Sequence, residues 1–284
     1  MSHPVRDVDG VPGGQSARGG RVPEEPAAPA PMSFVLIHGM DVTASAWDPW
    51  VERLTALGHD ARAIEWPGYD LSPAELRGHP PEDLPSLTFG KLVEHCEEQL
   101  RFVGLEDAVL IGHSMGGLVV QALLARGIGA AGIVISPAPP SGVVSLDPRF
   151  LRANLTHLNV LARSRPAHLS PQRFHTYFAN RMTREQSDAL WAAHCVPTAR
   201  SVPLGSLGEE GVVDPAALTR PLLVYGGADD RIIPAALARR IANRYPTAEY
   251  RELPDADHAV CFAPGWESLA DACVAWAAER VVRD

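Results

Sequence analysis

Apolar positions along the chain fall into short, nearly unbroken runs separated by longer stretches with helical spacing. "SFVLIHG" (33–39), "DARAIEW" (60–66), "DAVLIGHS" (107–114), "AGIVISPA" (131–138) and "PLLVYGGADD" (221–230) are rich in Val, Ile and Leu. Most of them do not alternate with polar residues, which is the pattern of parallel strands covered on both faces. Amphipathic helical stretches lie between them at about 45–57, 87–103, 116–127, 235–245 and 265–281, and a further short strand is expected at 248–253. Strand and helix in alternation predict an α/β domain with a mostly parallel, doubly wound sheet.

Two segments break the rhythm. Residues 1–31 are rich in Gly, Pro and Arg and lack periodicity, so they are expected to stay disordered. Residues 141–215 contain no convincing strand but several helix starts. Asp147-Pro148 and Ser170-Pro171 each set an N-cap before a proline, and Thr183 with Gln186 makes a capping box. This interval is expected to be a helical lid inserted after the fourth strand, with the core in residues 32–140 and 216–284. The plainer alternative is a surface insertion with no part in binding.

The third run leads into the candidate chemistry. Gly112-His113-Ser114-Met115-Gly116 fits G-x-S-x-G, a sharp strand-to-helix turn that displays its serine. Glycines two residues either side avoid collision with neighbouring backbone, and the following helix aims its first amides at the same spot. A serine hydroxyl needs a base, and that base needs an orienting acid. "VYGGADDRIIP" offers Asp229 and Asp230, and spacing before Pro234 favours Asp230, with Asp229 shaping the turn. Of the 11 histidines, His258 alone follows Asp230, in the loop of "LPDADHAV". An oxyanion hole would draw one backbone N–H from Met115 and a second from Met40, in "LIHGMD".

Composition narrows the class. The chain has 284 residues, and 25 Lys and Arg against 34 Asp and Glu give a net charge of -9. That balance gives no support to nucleic-acid binding. No apolar run approaches a membrane span, and no secretory h-region opens the chain, so a cytoplasmic protein is expected. Cys96, Cys195, Cys261 and Cys273 lie far apart without metal-ligand spacing and are read as reduced and mostly buried. With no metal cluster and no dinucleotide glycine pattern in the sequence, no cofactor is expected.

These pieces together resemble the α/β-hydrolase superfamily. "HGM…SAWDPW", "EWPGYDLS", "GHSMGG", "GADDRIIP" and "DHAV" occur in the family's order from residue 33 to the end. The resemblance implies an eight-stranded core with a lid after strand six, here short of its first two strands. It also implies Ser114, Asp230 and His258 as a triad, and Trp47 as an anchor of the first helix. Two departures stand out: Glu65-Trp66-Pro67-Gly68-Tyr69-Asp70 replaces the usual Asp-x-Pro-Gly-x-Gly turn, and Asp257 replaces the glycine before the histidine. A carboxylate at 257 could raise the pKa of the imidazole or compete with Asp230 for its proton.

The expected reaction is hydrolysis of a carboxylic ester or thioester of a small to medium, mainly apolar molecule, through an acyl-enzyme on Ser114. In the insertion, Phe174, Tyr177, Phe178, Leu190 and Trp191 are candidate pocket walls, although an aromatic stripe is more often packing. The same triad could instead serve a lyase, an acyltransferase or a cyclisation. The third reading is a non-catalytic small-molecule binding module, for which an intact Ser, Asp and His would have no use.

Overall fold

The computed structural model describes residues 30–281. All but the last two residues of the segment expected to be disordered therefore lie outside the described residues. In chain order the strands are β1 (Ser33–Ile37), β2 (Asp60–Ile64), β3 (Val109–His113), β4 (Ala131–Ile135), β5 (Leu222–Gly227) and β6 (Ala248–Leu253). The helices are α1 (Asp48–Ala56), α2 (Pro73–Gly78), α3 (Phe89–Val103), α4 (Met115–Ala125), α5 (Pro148–Asn154), α6 (Pro171–Arg173), α7 (Arg184–His194), α8 (Ser201–Ser206), α9 (Ala235–Ala242) and α10 (Trp266–Arg280). Among the described residues the strands form one sheet in the order β2-β1-β3-β4-β5-β6, and every pair is parallel.

The continuous apolar runs are explained by cores on both faces of this sheet. Phe34, Leu36, Ile111, Ile133 and Leu223 pack with Trp50 and Leu54 of α1 and with Ala270, Cys273 and Ala277 of α10. The residues between them, such as Val35, Ile37, Leu110, Val134 and Val224, pack with α3, α4 and α9. Residues of the inner strands β1, β3, β4 and β5 are thus covered on both faces, whereas the edge strands β2 and β6 keep exposed charged positions such as Arg62 and Glu252. Trp47 is fully buried and meets Trp50 edge-to-face at 5.1 Å, and the Trp50 indole donates to the Cys261 carbonyl at 2.8 Å. This pins the start of α1 to the loop before α10.

Between β4 and β5 lie α5, α6, α7 and α8, with no named strand. The predicted caps form. Asp147 accepts from the Arg149 amide, Ser170 accepts from the Arg173 amide, and Thr183 and Gln186 make a reciprocal box. After α6 the backbone widens into a π turn over Phe174–Phe178. The short helix α2 was not foreshadowed by apolar spacing. It buries only Leu76 and is carried by a capping box between Ser72 and Glu75. All four cysteines are buried free thiols. Among the described residues no helix is long and apolar enough to cross a membrane.

The strand order runs outward in both directions from β1 and β3, the first going to β2 and the other to β4. The carboxyl ends of these two neighbours form a switch point, where α/β sheets open a crevice. His38, Gly39 and Met40 leave β1 there, and Ser114 leaves β3 beside them.

Candidate active site

Ser114 takes a backbone conformation that L residues rarely adopt, with φ 53° and ψ -118°. Its amide donates to the Ile135 carbonyl and its carbonyl accepts from the amides of Gly117 and Ala138, so the surroundings hold the strained turn in place. The flanking glycines are required by close approach. A Cβ on Gly112 would strike the Gly116 carbonyl, and one on Gly116 would strike the carbonyls of Ile37 and His38. A Cβ on Gly39 would lie 2.7 Å from that of Ser114, which shows how tightly the β1 turn abuts the serine.

Asp230 and His258 come together although 28 residues separate them. The Asp230 Oδ2 accepts from His258 Nδ1 at 2.8 Å, and its Oδ1 accepts from the amides of Ile232 and Ile233, both at 2.8 Å. Both residues are buried. Asp230 can only accept as a carboxylate, so the His258 proton sits on Nδ1 and leaves Nε2 as the acceptor. Asp229 points elsewhere. Its carboxylate pairs with Arg181 at 3.0 Å, and its amide closes the turn on the Ala256 carbonyl.

His113, the residue before the serine, joins the β3 turn to the His258 loop. Its Nε2 donates to the His258 carbonyl at 2.8 Å, and the two rings lie 4.6 Å apart. Burial, reinforced by the neighbouring His258, pushes His113 well below the ordinary histidine range, so it is a neutral donor. This fastens the His258 loop to the residue that precedes Ser114. Among the described residues no hydrogen bond joins the Ser114 hydroxyl to the His258 ring, whose Nδ1 is committed to Asp230.

Asp257 does not compete for the imidazole. Its two oxygens accept from the amides of Arg181 at 2.6 Å and Ala259 at 3.0 Å. Burial raises its pKa despite these bonds. The other departure is also structural. Glu65 lies 2.8 Å from His38 Nε2 and accepts from the Ala44 amide at 3.0 Å, while His38 Nδ1 donates to the Gly39 carbonyl at 2.8 Å. Glu65 therefore braces the turn that carries Met40. Nothing in the local sequence distinguishes Glu65 or His113 as braces, because their partners are set by the fold.

The Met40 and Met115 amides make no backbone hydrogen bond among the described residues, and both residues line a small cavity at Ser114. Phe150, Leu158, Leu207, Ile232 and Ile233 supply apolar walls, and Asn154 and Ser206 add polar ones. Its volume, about 30 Å³, admits a water molecule but no substrate. A wider groove of about 580 Å³ runs between β2 and α3 and contains none of the three candidate triad residues.

The side chains expected to wall the pocket, Phe174, Tyr177, Phe178, Leu190 and Trp191, lie outside the lining of the Ser114 cavity, to which the insertion contributes Phe150 instead. Phe174 and Phe178 are buried and stacked at 4.5 Å, with Phe178 edge-on to His258 at 5.0 Å. Tyr177 lies under the Arg173 guanidinium, and Trp191 under that of Arg77 with its indole donating to the Leu169 carbonyl. Leu190 packs against the main core. These side chains fill the seam between insertion and core, which is where a large apolar residue gains most from burial.

Comparison with known proteins places this architecture. A family model described as "Alpha/beta hydrolase family" matches residues 34–272. RutD of Stutzerimonas stutzeri, named as a carbamate hydrolase, is 27% identical over 248 residues, covering 83% of this chain and 86% of the relative. A monoacylglycerol lipase of Mycolicibacterium smegmatis is 24% identical over 266 residues, covering 86% of this chain and 95% of the relative. The structure of a thermophilic esterase from Thermogutta terrifontis superposes with a TM-score of 0.62 at 20% identity, covering 88% of this chain and 91% of that one. The chain belongs to the α/β hydrolase family.

Proposed function

We propose that this α/β hydrolase is a serine hydrolase that cleaves a carboxylic ester or thioester of a small to medium, mainly apolar molecule through an acyl-enzyme on Ser114. The observation that carries this reading is the buried 2.8 Å bond from His258 to Asp230, fastened through His113 to the strained turn at Ser114. In the proposed reaction His258 Nε2 takes the hydroxyl proton as Ser114 Oγ attacks the substrate carbonyl. The tetrahedral oxyanion accepts from the Met40 and Met115 amides, where preorganised donors count most. As it collapses, His258 hands its proton to the departing alcohol or thiol. Water then attacks the acyl group with His258 as base, and Ser114 leaves with its proton restored. Asp230 stays ionised and steadies the imidazolium.

The mainly apolar cavity walls support an apolar acyl group. The volume of about 30 Å³ supports a role for residues 141–215 as a lid, because α5 and the α8 end supply Phe150, Asn154, Ser206 and Leu207 and must shift to admit substrate. Steady-state turnover of p-nitrophenyl acetate and butyrate tests the reading. Turnover by the native chain and a loss of at least about 10³-fold in Ser114→Ala are expected. Equal turnover in Ser114→Ala would refute it, and Ser114-dependent chemistry without ester turnover would point to a lyase or transferase.

A further inference from the structure

A second buried carboxylate–imidazole pair lies one residue from the proposed oxyanion donor. Asp41 Oδ1 meets His157 Nε2 at 2.9 Å, and both side chains are only 4% exposed. Asp41 follows Met40 and holds a left-handed backbone conformation, φ 66°, which aspartate tolerates better than most residues with a Cβ.

The hydrogen-bond partners of Asp41 (Thr198, His157 and Val196) all come from residues 141–215. The Asp41 amide donates to Thr198 Oγ1 at 2.8 Å, and that hydroxyl lies 3.4 Å from Asp41 Oδ1, a reciprocal clasp. The Asp41 carbonyl accepts from the Val196 amide at 3.1 Å, and Val42 bridges to Cys195. His157 reaches the carboxylate from the loop after α5, the helix that contributes Phe150 and Asn154 to the Ser114 cavity. The turn that aims the Met40 amide is therefore tied on one side to Glu65 of the core and on the other to the insertion. The triad does not use Asp41 or His157. A buried ionisable pair costs desolvation that well-packed apolar residues would avoid, so packing alone does not account for it.

We propose that Asp41 and His157 are positioning residues that fasten the Met40 amide to the insertion, so that the oxyanion site is complete only when the insertion is seated; this rests on the serine hydrolase reading above. The carboxylate can only accept, so His157 donates from Nε2, and any side chain that keeps a donor at that point should keep the function.

The test compares His157→Leu, His157→Gln and Thr198→Val with the native chain, by ester kinetics and by hydrogen exchange of peptides covering residues 38–43. The expected result for His157→Leu is kcat lower by about 10- to 100-fold with KM within about threefold, a loss confined to transition-state stabilisation. Exchange at residues 40–42 should quicken in the same variant. His157→Gln should restore both, and Thr198→Val should show a milder form of the same pair of changes. Native kcat in His157→Leu, a change in KM alone, unaltered exchange, or a Gln variant as impaired as Leu would overturn the proposal. If His157→Leu does not fold, Thr198→Val decides by the same two readouts. If the native chain neither turns over esters nor reacts at Ser114, the hydrolase reading fails first. Exchange alone then decides whether the pair holds residues 40–42.

Discussion

Asp230 gives one carboxylate oxygen to the His258 ring, at 2.8 Å, and the other to two backbone amides of its own loop. With both oxygens engaged the carboxylate cannot rotate, and the imidazole is fixed with its Nδ1 proton facing the acid. Asp230→Asn can present its amide N–H to the ring and so favour the wrong tautomer. We expect kcat/KM to fall by about 10³- to 10⁴-fold in Asp230→Asn. Asp229→Asn, which loses an exposed pair with Arg181, should stay within about threefold of native. Assay of p-nitrophenyl butyrate hydrolysis by both variants checks the assignment, and a larger loss at 229 would reverse it.

The cavity at Ser114 sets a second expectation. Phe150 and Leu207 form part of its apolar wall, and shortening either removes several carbon atoms from the space an acyl chain would fill. Phe150→Ala and Leu207→Ala should raise the preference for p-nitrophenyl octanoate over acetate by about tenfold, measured as the ratio of kcat/KM values. An unchanged ratio would place the acyl chain elsewhere.

Two glycines should respond differently to alanine. At Gly116 the added carbon meets two backbone carbonyls that cannot yield, so Gly116→Ala should cost about 3 kcal/mol or more, or prevent folding. Gly104 ends α3 at φ 69° with open space around it, so Gly104→Ala should cost only about 1–2 kcal/mol of left-handed strain. Denaturant unfolding monitored by circular dichroism separates the two.

Much of this was legible in the chain because it is local. Unbroken apolar runs marked the strands, and Pro148, Pro171 and the Thr183–Gln186 box marked helix starts in the insertion. Glycine spacing marked the turn at Ser114. The braces were not legible, because they are long-range: His157 meets Asp41 across 116 residues and His113 meets the His258 carbonyl across 145. No spacing rule connects such pairs until the sheet order sets β1 beside β3. The insertion's aromatic residues show the same limit, since a stripe along a helix does not reveal whether it faces a seam or a cavity.

Acid should weaken the fold through His113. Burial, with His258 beside it, keeps the folded pKa well below the ordinary value, whereas the unfolded chain takes up its proton near the ordinary 6.5. The contribution to stability is complete above the unfolded value and is lost as pH falls from there toward the folded one. Thermal melts of the native chain should therefore drop more between about pH 7.5 and 5 than those of His113→Gln. Parallel curves would show that His113 does not carry the acid sensitivity.

Thiol chemistry offers an independent check on packing. Cys96, Cys195, Cys261 and Cys273 are buried, and burial pushes each thiol up, Cys96 to about 12. A raised folded pKa adds stability that is full below the unfolded thiol value and lost as pH rises past it. None of the four should react with a disulfide reagent at neutral pH in the native chain, and all four should react in guanidinium. A fast-reacting thiol in the native chain would place one of them at the surface.

Whether Ser114 is a nucleophile activated by His258 is decided by fluorophosphonate labelling followed by peptide mass mapping. One adduct is expected, on the peptide carrying Ser114, absent in Ser114→Ala and slowed by orders of magnitude in His258→Ala. Labelling at another residue, or none on native folded protein, would remove Ser114 as the nucleophile.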